Sequence, residues 1–345
     1  MSDLTGGKSW GVLRDEWTAN INDYALAGGW CQGSKTFLAG GAEGGLHAFD
    51  AKSGTPTWIN QSTHDGGLLA LSIHPHGTSF ATAGQDGRVL IWSAAKGELL
   101  HASEVGSSWV EHLSWSPDGK FLAAACGKQV TVLYPTGAEV WRSADHPSTV
   151  SAVAWSPKRE LATACYGQVA FFAAADGARR QKLEWKGSLV SMVLSPDGDV
   201  VACGSQDNSV HFWRRSTGRD SMMSGYSSKP SALAFDVRGT LLATGGGEKI
   251  TVWNFRRGPE GTEPGVLDLH MKPVTAMAFA RTGKQLATTA RDSNVVIWQL
   301  KKDGTGEPAG AAFLAGAGSG LYWRPDGRAL AALDASGAVS VWRTR

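Results

Sequence analysis

The chain has 345 residues, a formal net charge of +2 and 42% hydrophobic residues. Its Lys and Arg residues are scattered, and a chain without a basic stripe is not expected to bind nucleic acid. The 44 Gly and 15 Trp favour an all-β fold with many tight turns and many large buried anchors. Four cysteines in a chain of this length are too few for a disulfide framework and are expected to be reduced core residues.

The first residues of the chain contain no apolar run that could serve as the core of a signal peptide. No segment reaches the roughly 18 apolar residues that a membrane-spanning helix needs. We therefore expect a cytoplasmic protein without a membrane partner. Residues 9–18, SWGVLRDEWT, precede the first regular pattern in the chain.

From residue 23 onward one pattern recurs: a strand, a polar turn, and a second strand that ends in a large apolar residue. In SFATAGQDGRVLIW, between Ser79 and Trp92, the Asp-Gly pair is typical of a tight hairpin. The spacing between successive closing residues is 39 to 45 residues, which is the spacing of four-stranded propeller blades. The closing residues are Phe49, Trp92, Leu133, Phe172, Trp213, Trp253, Trp298 and Trp342.

Each repeat also has an inner strand that ends in a reverse turn, for example SWSPDG at 114–119 and YWRPDG at 322–327. Counting these units gives eight, ending near residues 62, 105, 144, 185, 224, 270, 314 and 345. The eighth unit lacks a fourth strand at its C-terminal end. We predict that residues 9–18 supply this strand and close the ring, since an open ring would leave strand edges unpaired.

These motifs resemble WD40 repeats, and the chain is identified as a member of the WD40-repeat β-propeller family, of a stand-alone bacterial type. The resemblance covers nearly the whole chain. It implies an all-β, eight-bladed WD40-like β-propeller in which residues 1–345 form a single domain. Seven blades plus an irregular unit is the alternative architecture.

The family also implies a buried network, here called the clamp, which links an Asp in the second turn, a His before the inner strand, a Ser or Thr on the second strand and the closing Trp. The fourth, fifth and sixth repeats have only part of it, and Trp185 and Tyr226 stand at the His position of the fifth and sixth repeats. Since the set recurs at equivalent positions, we interpret it as structural and not as a nucleophile triad. The complete sets are His64, Thr82, Asp86 and Trp92, and His270, Thr288, Asp292 and Trp298.

Family members commonly bind peptides at the top face, around the central channel. The residues before the inner strands and the turns between second and third strands lie there. Aromatic and cationic side chains at these places have the composition of a recognition hot spot, although Trp185 and Tyr226 can also fill the space of a missing His. The predicted partner-binding residues are Asp65, Gln85, Trp109, Lys128, Tyr166, Trp185, Gln206, Tyr226, Lys229, Lys272 and Arg291.

The sequence offers no catalytic, cofactor-binding or metal site. Neither the equivalent Cys126 and Cys165 nor the pair His74 and His76 supplies the three or four converging ligands of a zinc site. Phosphate-loop and nucleophile-elbow motifs are absent. The inner strands that face the channel contain few ionisable residues, chiefly Glu111 and His112.

The sequence therefore predicts a non-enzymatic scaffold that binds a protein or peptide partner on its top face, as a monomer or within a hetero-complex. Two alternatives stay open: an accessory factor in metalloprotein maturation or a metal-handling GTPase pathway, suggested by stand-alone bacterial proteins of similar repeat style, and a propeller enzyme with a site at the channel mouth. The long connections at 256–264 and 301–308 are expected to be solvated loops on the bottom side, with a bottom-face partner contact as the alternative.

Overall fold

The computed structural model describes residues 11–256, 258–281 and 285–344. In these ranges the chain forms β-strands and one 3₁₀ helix, Gln32–Ser34. Strand pairs are antiparallel and consecutive in sequence, with two exceptions near the N-terminus. Sheet 1 contains β3 (Ala25–Cys31), β4 (Thr36–Gly41), β5 (Leu46–Asp50) and β6 (Pro56–Asn60); sheet 2 contains β7 (Leu68–Ile73), β8 (Ser79–Gly84), β9 (Arg88–Ser93) and β10 (Leu99–Glu104); sheet 3 contains β11 (Val110–Trp115), β12 (Leu122–Cys126), β13 (Gln129–Leu133) and β14 (Glu139–Arg142).

The remaining strands form four further sheets. Sheet 4 contains β15 (Ala152–Trp155), β16 (Glu160–Ala173), β17 (Arg179–Leu194), β18 (Val200–Ser205), β19 (Val210–Arg214) and β20 (Arg219–Met223); sheet 5 contains β21 (Ala232–Phe235), β22 (Leu241–Gly245), β23 (Ile250–Asn254) and β24 (Gly265–Leu267). Sheet 6 contains β25 (Val274–Phe279), β26 (Gln285–Ala290), β27 (Asn294–Leu300), β28 (Gly306–Phe313) and, at its outer edge, β1 (Gly11–Val12); sheet 7 contains β29 (Gly318–Trp323), β30 (Ala329–Asp334), β31 (Ala338–Arg343) and β2 (Arg14–Asn20).

The first strand of each repeat lies innermost, and these strands contact one another around a closed ring. The order is β3, β7, β11, β15, the second half of β17, β21, β25 and β29, which returns to β3. Tryptophans at the ends of four inner strands tie the ring together, because each donates its Nε1–H to a main-chain carbonyl of the preceding inner strand. The four pairs are Trp30 with Tyr322 (2.9 Å), Trp115 with Ser72 (3.2 Å), Trp155 with Ser114 (2.8 Å) and Trp323 with Ala278 (2.9 Å).

The hydrogen-bonded strands form seven sheets, so the prediction of eight separate blades is corrected and the seven-blade alternative matches. The difference arises in sheet 4, which has six strands and holds both the fourth and the fifth sequence repeats. There β17 pairs with β16 as far as Ser188 and with β18 from Leu189, without a break. Between sheets 1 and 2, Gly66 and Gly67 turn the chain through positive φ angles of 82° and 113°, whereas residues 185–188 stay extended.

The N-terminal segment closes the ring, as predicted. Strand β2 pairs antiparallel with β31, from Arg14 opposite Arg343 to Asn20 opposite Ala338. The observed strand is shifted from the predicted 9–18, and residues 9 and 10 lie outside the described part of the chain. Strand β1 adds a feature that the sequence did not suggest, since it pairs in parallel with β28 of sheet 6. The segment therefore bridges sheets 6 and 7.

A second recurring contact joins neighbouring sheets through an outer-strand tryptophan, and we call it the tryptophan latch. Trp17 of β2 donates its Nε1–H to the carbonyl oxygen of Ala51 at 3.0 Å and packs over Gly54 of sheet 1. A Cβ on Gly54 would lie 2.6 Å from the indole, and its φ of 69° also favours glycine. The same contact recurs at Trp58 with Ala94 and Gly97, and at Trp141 with Ala174 and Gly177.

Candidate functional site

The clamp of the second repeat is a continuous chain of hydrogen bonds through the interior of sheet 2. Trp92 Nε1 donates to Thr82 Oγ1 at 2.8 Å, and Thr82 Oγ1 lies 2.9 Å from His64 Nε2. His64 Nδ1 lies 3.0 and 3.2 Å from the two carboxylate oxygens of Asp86. Because the ionised carboxylate only accepts, Nδ1 carries the proton, and Nε2 accepts from the Thr82 hydroxyl. Each hydrogen bond of this chain therefore has a defined donor and acceptor.

The seventh repeat reproduces this geometry in sheet 6. Trp298 Nε1 donates to Thr288 Oγ1 at 2.9 Å, Thr288 Oγ1 lies 2.9 Å from His270 Nε2, and His270 Nδ1 lies 3.2 Å from the nearer Asp292 oxygen. Thr288 is fully buried and His270 is 2% exposed. A nucleophile must reach a substrate, so these buried hydroxyls do not form a catalytic triad. The clamp fixes the turn between the second and third strands against the connection that precedes the inner strand.

Two incomplete clamps keep their hydrogen bonds by other means. In the fourth repeat His146 Nε2 lies 2.9 Å from Thr163 Oγ1, while Nδ1 donates to the carbonyl oxygen of Lys128 instead of to a carboxylate. In the sixth repeat the hydroxyl of Tyr226 lies 2.8 Å from Thr244 Oγ1 and accepts from Trp253 Nε1 at 3.1 Å. Tyr226 therefore takes the place of the His and has a structural role.

The fifth repeat has no clamp, and an aromatic stack occupies the space. The ring centroids of Trp185 and His211 are 3.8 Å apart with an angle of 25° between the planes, and His211 meets Trp213 edge-on. Cys203 stands at the Thr position with a fully buried thiol, whose pKa is raised by burial. The indole nitrogen of Trp185 and Nδ1 of His211 are buried without a hydrogen-bond partner among the described residues. Trp185 is therefore accounted for by packing.

Burial keeps most of the histidines neutral in the folded protein. Desolvation is the largest cause of a lowered pKa at His64 and His270, although the neighbouring Asp86 and Asp292 oppose it. The Asp86 carboxyl has a lowered pKa because hydrogen bonds from His64 and Arg88 outweigh the effect of its burial. Desolvation also lowers the pKa of His47, His74, His112, His146 and His211.

These shifts predict that the protein loses stability in mild acid. An unfolded His titrates near pH 6.5, so below that pH the unfolded chain binds more protons than the folded one and the free energy of unfolding falls. We expect the midpoint of thermal unfolding, followed by circular dichroism at constant ionic strength, to fall steadily from pH 7.5 to pH 5. The carboxyl groups contribute only near and below about pH 4. An unchanged midpoint over this range would contradict the prediction.

The top face is the end of the sheets where the inner strands begin, and it carries all eleven predicted partner-binding residues. Asp65 and Asp86 belong to the same repeat, and the Asp65 main-chain N–H donates to the Asp86 carboxylate at 3.2 Å. Eight of the predicted residues have exposed side chains: Asp65, Trp109, Lys128, Tyr166, Gln206, Lys229, Lys272 and Arg291. Gln85, Trp185 and Tyr226 are half-buried.

Trp109 differs from every other described tryptophan. The rest are buried or half-buried in clamps, latches, the inner ring or the stack of the fifth repeat, whereas Trp109 is 52% exposed. Tyr166, on the adjoining fourth repeat, is 55% exposed. Lys128 is exposed in the turn after β12, and the carbonyl oxygen of Ser108, next to Trp109, accepts a hydrogen bond from Cys126 at the end of β12. Trp109, Lys128 and Tyr166 are therefore exposed at the same end of two adjacent repeats.

Sequence reasoning missed two apolar side chains at the same end of the molecule. Met271 is 76% exposed, and its main-chain N–H donates to the clamp residue Asp292 at 2.7 Å. Tyr24 is 44% exposed in the connection before β3. The exposure of Met271 could have been predicted from its position directly after the buried clamp residue His270, because the chain reaches the surface of the top face there.

No metal site is found in the described parts of the chain. They contain no group of three or more His, Cys, Asp or Glu residues placed to hold a metal ion. All four cysteines are unpaired and buried, and burial raises the pKa of the Cys31 thiol to about 12. Within the same residues, no helix has the length and hydropathy required to traverse a bilayer.

A ring of radially arranged antiparallel sheets, tied by tryptophans and closed by the N-terminal strand, defines a β-propeller. A family model described as outer membrane protein assembly factor BamB matches residues 2–224, and a second one, described as WD domain, G-beta repeat, matches residues 261–299. The first match covers more than half of the chain and the second covers one repeat. The chain therefore belongs to the family of the first model and is a WD40-repeat β-propeller.

Similar proteins of known name have varied roles. The guanine nucleotide-binding protein subunit beta of Arabidopsis thaliana is 21% identical over 305 residues, which cover 68% of this chain and 81% of that protein. The probable cytosolic iron-sulfur protein assembly protein 1 of Mycosarcoma maydis is 26% identical over 207 residues, which cover 59% of this chain and 38% of that protein. The chain spans only 12% to 38% of the length of five similar proteins, and the Mycosarcoma maydis protein is one of these five.

One solved structure confirms the fold over almost the full length. The crystal structure of the computationally designed Ika8 protein superposes with a TM-score of 0.82, covering 97% of this chain and all of that one. The two sequences are 19% identical. At this identity the likeness concerns the fold alone.

Proposed function

We propose that this protein is a non-catalytic WD40 scaffold that binds a protein or peptide partner on its top face. The single observation that carries the proposal is the exposure of Trp109 in a chain whose other described tryptophans are buried or half-buried. An exposed indole costs hydration free energy, and covering an aromatic side chain contributes about 1.5–3 kcal/mol. Tryptophan and tyrosine dominate the binding energy of many protein interfaces.

The neighbours of Trp109 support a site on the third and fourth repeats. Tyr166 adds a second exposed aromatic ring, and Lys128 adds an exposed cation at the same end of the third repeat. The clamp-like bonds beneath this group are satisfied, since Lys128 accepts from His146 through its main-chain oxygen and Tyr166 donates its main-chain N–H to Ser148. The exposed side chains are therefore held on a rigid base, which lowers the entropic cost of binding.

The other exposed residues of the top face define the kind of partner. Lys229, Lys272 and Arg291 extend the cationic character of Lys128 around the channel. Cations beside aromatic rings suit a segment that carries carboxylate groups as well as apolar side chains. We propose that the partner presents such a segment and that the complex forms in the cytoplasm.

Two alternatives from the sequence have less support. A role in metalloprotein maturation is supported by the likeness to the Mycosarcoma maydis iron-sulfur protein assembly protein, but the names of the other relatives indicate different processes. The chain also covers 38% of that relative. For an enzyme, Glu111 is exposed at the channel and His112 has its pKa lowered by burial, yet no third group in the described chain joins them. Partner binding on the top face therefore remains the function that we propose.

The test is a peptide selection followed by substitution. Peptides that bind the wild-type protein are first selected from a displayed random library. Their affinities for the wild type and for the Trp109→Ala/Tyr166→Ala protein are then compared by fluorescence anisotropy. We expect at least about a tenfold loss of affinity, because each truncated hot-spot aromatic typically costs more than 1 kcal/mol. Crosslinking of a bound peptide should place it beside Lys128.

The matched control removes exposed apolar groups from the rim of the propeller. Leu99→Ala/Leu100→Ala changes two side chains of β10 that are 50% and 47% exposed, and it should leave the affinity unchanged. Selected peptides that bind the Trp109→Ala/Tyr166→Ala protein as tightly as the wild type would show that the proposed face is wrong.

A further inference from the structure

The bottom end of the propeller holds a cavity of about 630 Å³ between sheets 5 and 6. Its walls come from the turn after β21, the connection after β23, the start of the turn after β25, and the turn after β27. Asn254 joins two of these connections, because its side chain donates to the carbonyl oxygen of Lys302 at 2.8 Å and accepts from the main-chain N–H of Arg256 at 2.9 Å. The described residues that line the cavity are Asp236, Val237, Arg238, Thr240, Leu241, Asn254, Arg256, Arg281 and Lys302.

Four of these nine residues are cations, and one is an anion. The lining therefore carries a formal charge of +3, from four positive charges and one negative, whereas the whole chain carries only +2. The anion, Asp236, is 7% exposed and already accepts hydrogen bonds from the main-chain N–H groups of Thr240 and Leu241 and from the Thr240 hydroxyl. Its oxygens are engaged within its own turn, and among the described residues it forms no ion pair with the cations.

The cations of the cavity have no side-chain partner among the described residues. Within the described ranges, no hydrogen bond or ion pair involves the side chains of Arg238, Arg256, Arg281 or Lys302. Elsewhere several arginines pair closely, as Arg215 does with Glu160 at 2.7 Å. Like charges that converge without counterions repel one another, so a bound anion would stabilise this arrangement.

Acidic groups near the cavity lie to one side of it. Glu263 and Asp303 line an adjoining cavity, which shares Asn254 and Arg256 with the first. Asp303 accepts from the main-chain N–H and the hydroxyl of Thr305. Neither of these carboxylates lines the first cavity, whereas Arg238 and Arg281 line only that one.

The composition of the lining distinguishes between classes of anion. A single guanidinium fork can satisfy one carboxylate, whereas a phosphate dianion has three acceptor oxygens and can bind several arginines at once. None of the nine lining residues is aromatic, so the cavity lacks the stacking platform that nucleobases use. The volume lies within the range of sites for small groups rather than for an extended polymer.

We propose that this bottom-face cavity binds a phosphorylated serine or threonine of a protein partner, with Arg238 and Arg281 as its main ligands. This second site is independent of the top face. A scaffold with two binding faces could hold an acidic or apolar segment at one end and a phosphorylated segment at the other, so phosphorylation would control which partners meet.

The probe is a peptide library with phosphoserine fixed at its centre and mixed residues on both sides, together with the matched serine library. Binding to the wild-type protein should enrich the phosphorylated library. Peptides from it should bind Arg238→Glu/Arg281→Glu at least about tenfold more weakly for each lost arginine, measured by fluorescence anisotropy at 0.1 M salt. The control is Lys158→Glu, which makes the same kind of charge change in an exposed turn at the bottom of the fourth repeat and should leave the affinity unchanged.

Four results of these experiments would overturn the proposal. Equal binding of both libraries would exclude a phosphate site, and so would equal affinity of the wild-type and Arg238→Glu/Arg281→Glu proteins. Inorganic pyrophosphate that binds as tightly as the peptides would assign the cavity to free phosphates, and preferred binding of a single-stranded RNA oligonucleotide would assign it to nucleic acid. Peptides selected for the top face should bind the Arg238→Glu/Arg281→Glu protein normally, so the two proposals can fail separately.

Discussion

Replacing Trp17 by alanine is expected to lower the free energy of unfolding by about 3–5 kcal/mol, the usual cost of truncating a buried tryptophan. Trp17 is 7% exposed, packs on Phe49 at a centroid distance of 5.8 Å, and makes the latch to Ala51 and Gly54. This latch is the one that joins the closing strand to sheet 1. Its loss should therefore weaken the ring at its closure.

Amide hydrogen exchange tests whether the loss of stability is local to the closure of the ring. In Trp17→Ala the amides of β31 should exchange faster, because β2 is their outer partner, whereas the amides of sheet 3 on the far side of the ring should keep their protection. The control is Val12→Ala, which truncates a side chain that is 80% exposed and should change the stability by less than about 0.5 kcal/mol. Uniform acceleration in all sheets would mean that the closure is not a local weak point.

Replacing Thr82 by valine is expected to destabilise the protein by about 2–6 kcal/mol. Valine has nearly the same shape but has no hydroxyl, so the indole N–H of Trp92 and Nε2 of His64 both lose their partner in a fully buried place. Each buried unsatisfied group costs about 1–3 kcal/mol. Urea unfolding of the variant and the wild type measures the difference.

The control for this change is Thr149→Val, which removes a hydroxyl from an exposed loop position without a side-chain hydrogen bond among the described residues. It should cost less than about 0.5 kcal/mol. A Thr82→Val protein as stable as Thr149→Val would show that the clamp does not contribute to stability and would reopen the question of why its residues recur.

The sequence predicted the repeat pattern because that pattern depends on local rules. A Gly in a tight turn, an apolar closing residue and a period near 40 residues can be read from the chain without knowing the fold. The closing strand could be predicted as well, since one repeat lacked its outer strand. The same alignment of repeats assigned Trp109 and Tyr166 to the top face, and their role in binding stays a prediction.

Other features depend on contacts between repeats and could not be predicted in this way. The latches join Trp17 to Gly54 and Trp141 to Gly177, more than 30 residues apart, and nothing in a single repeat indicates which partner faces which. Whether Trp185 binds a ligand or packs was left open by the sequence, and the stack on His211 accounts for it by packing.

The sequence by itself determined that the chain folds into a ring of tryptophan-anchored repeats, because the turn and strand preferences are encoded within each repeat. Only the tertiary structure decided that the fourth and fifth repeats share one sheet, since that depends on whether residues 185–188 stay extended between two partner strands. It also decided that Arg238 and Arg281 face one cavity, where no described side chain pairs with them, because they lie on different sheets and their distance depends on how those sheets pack.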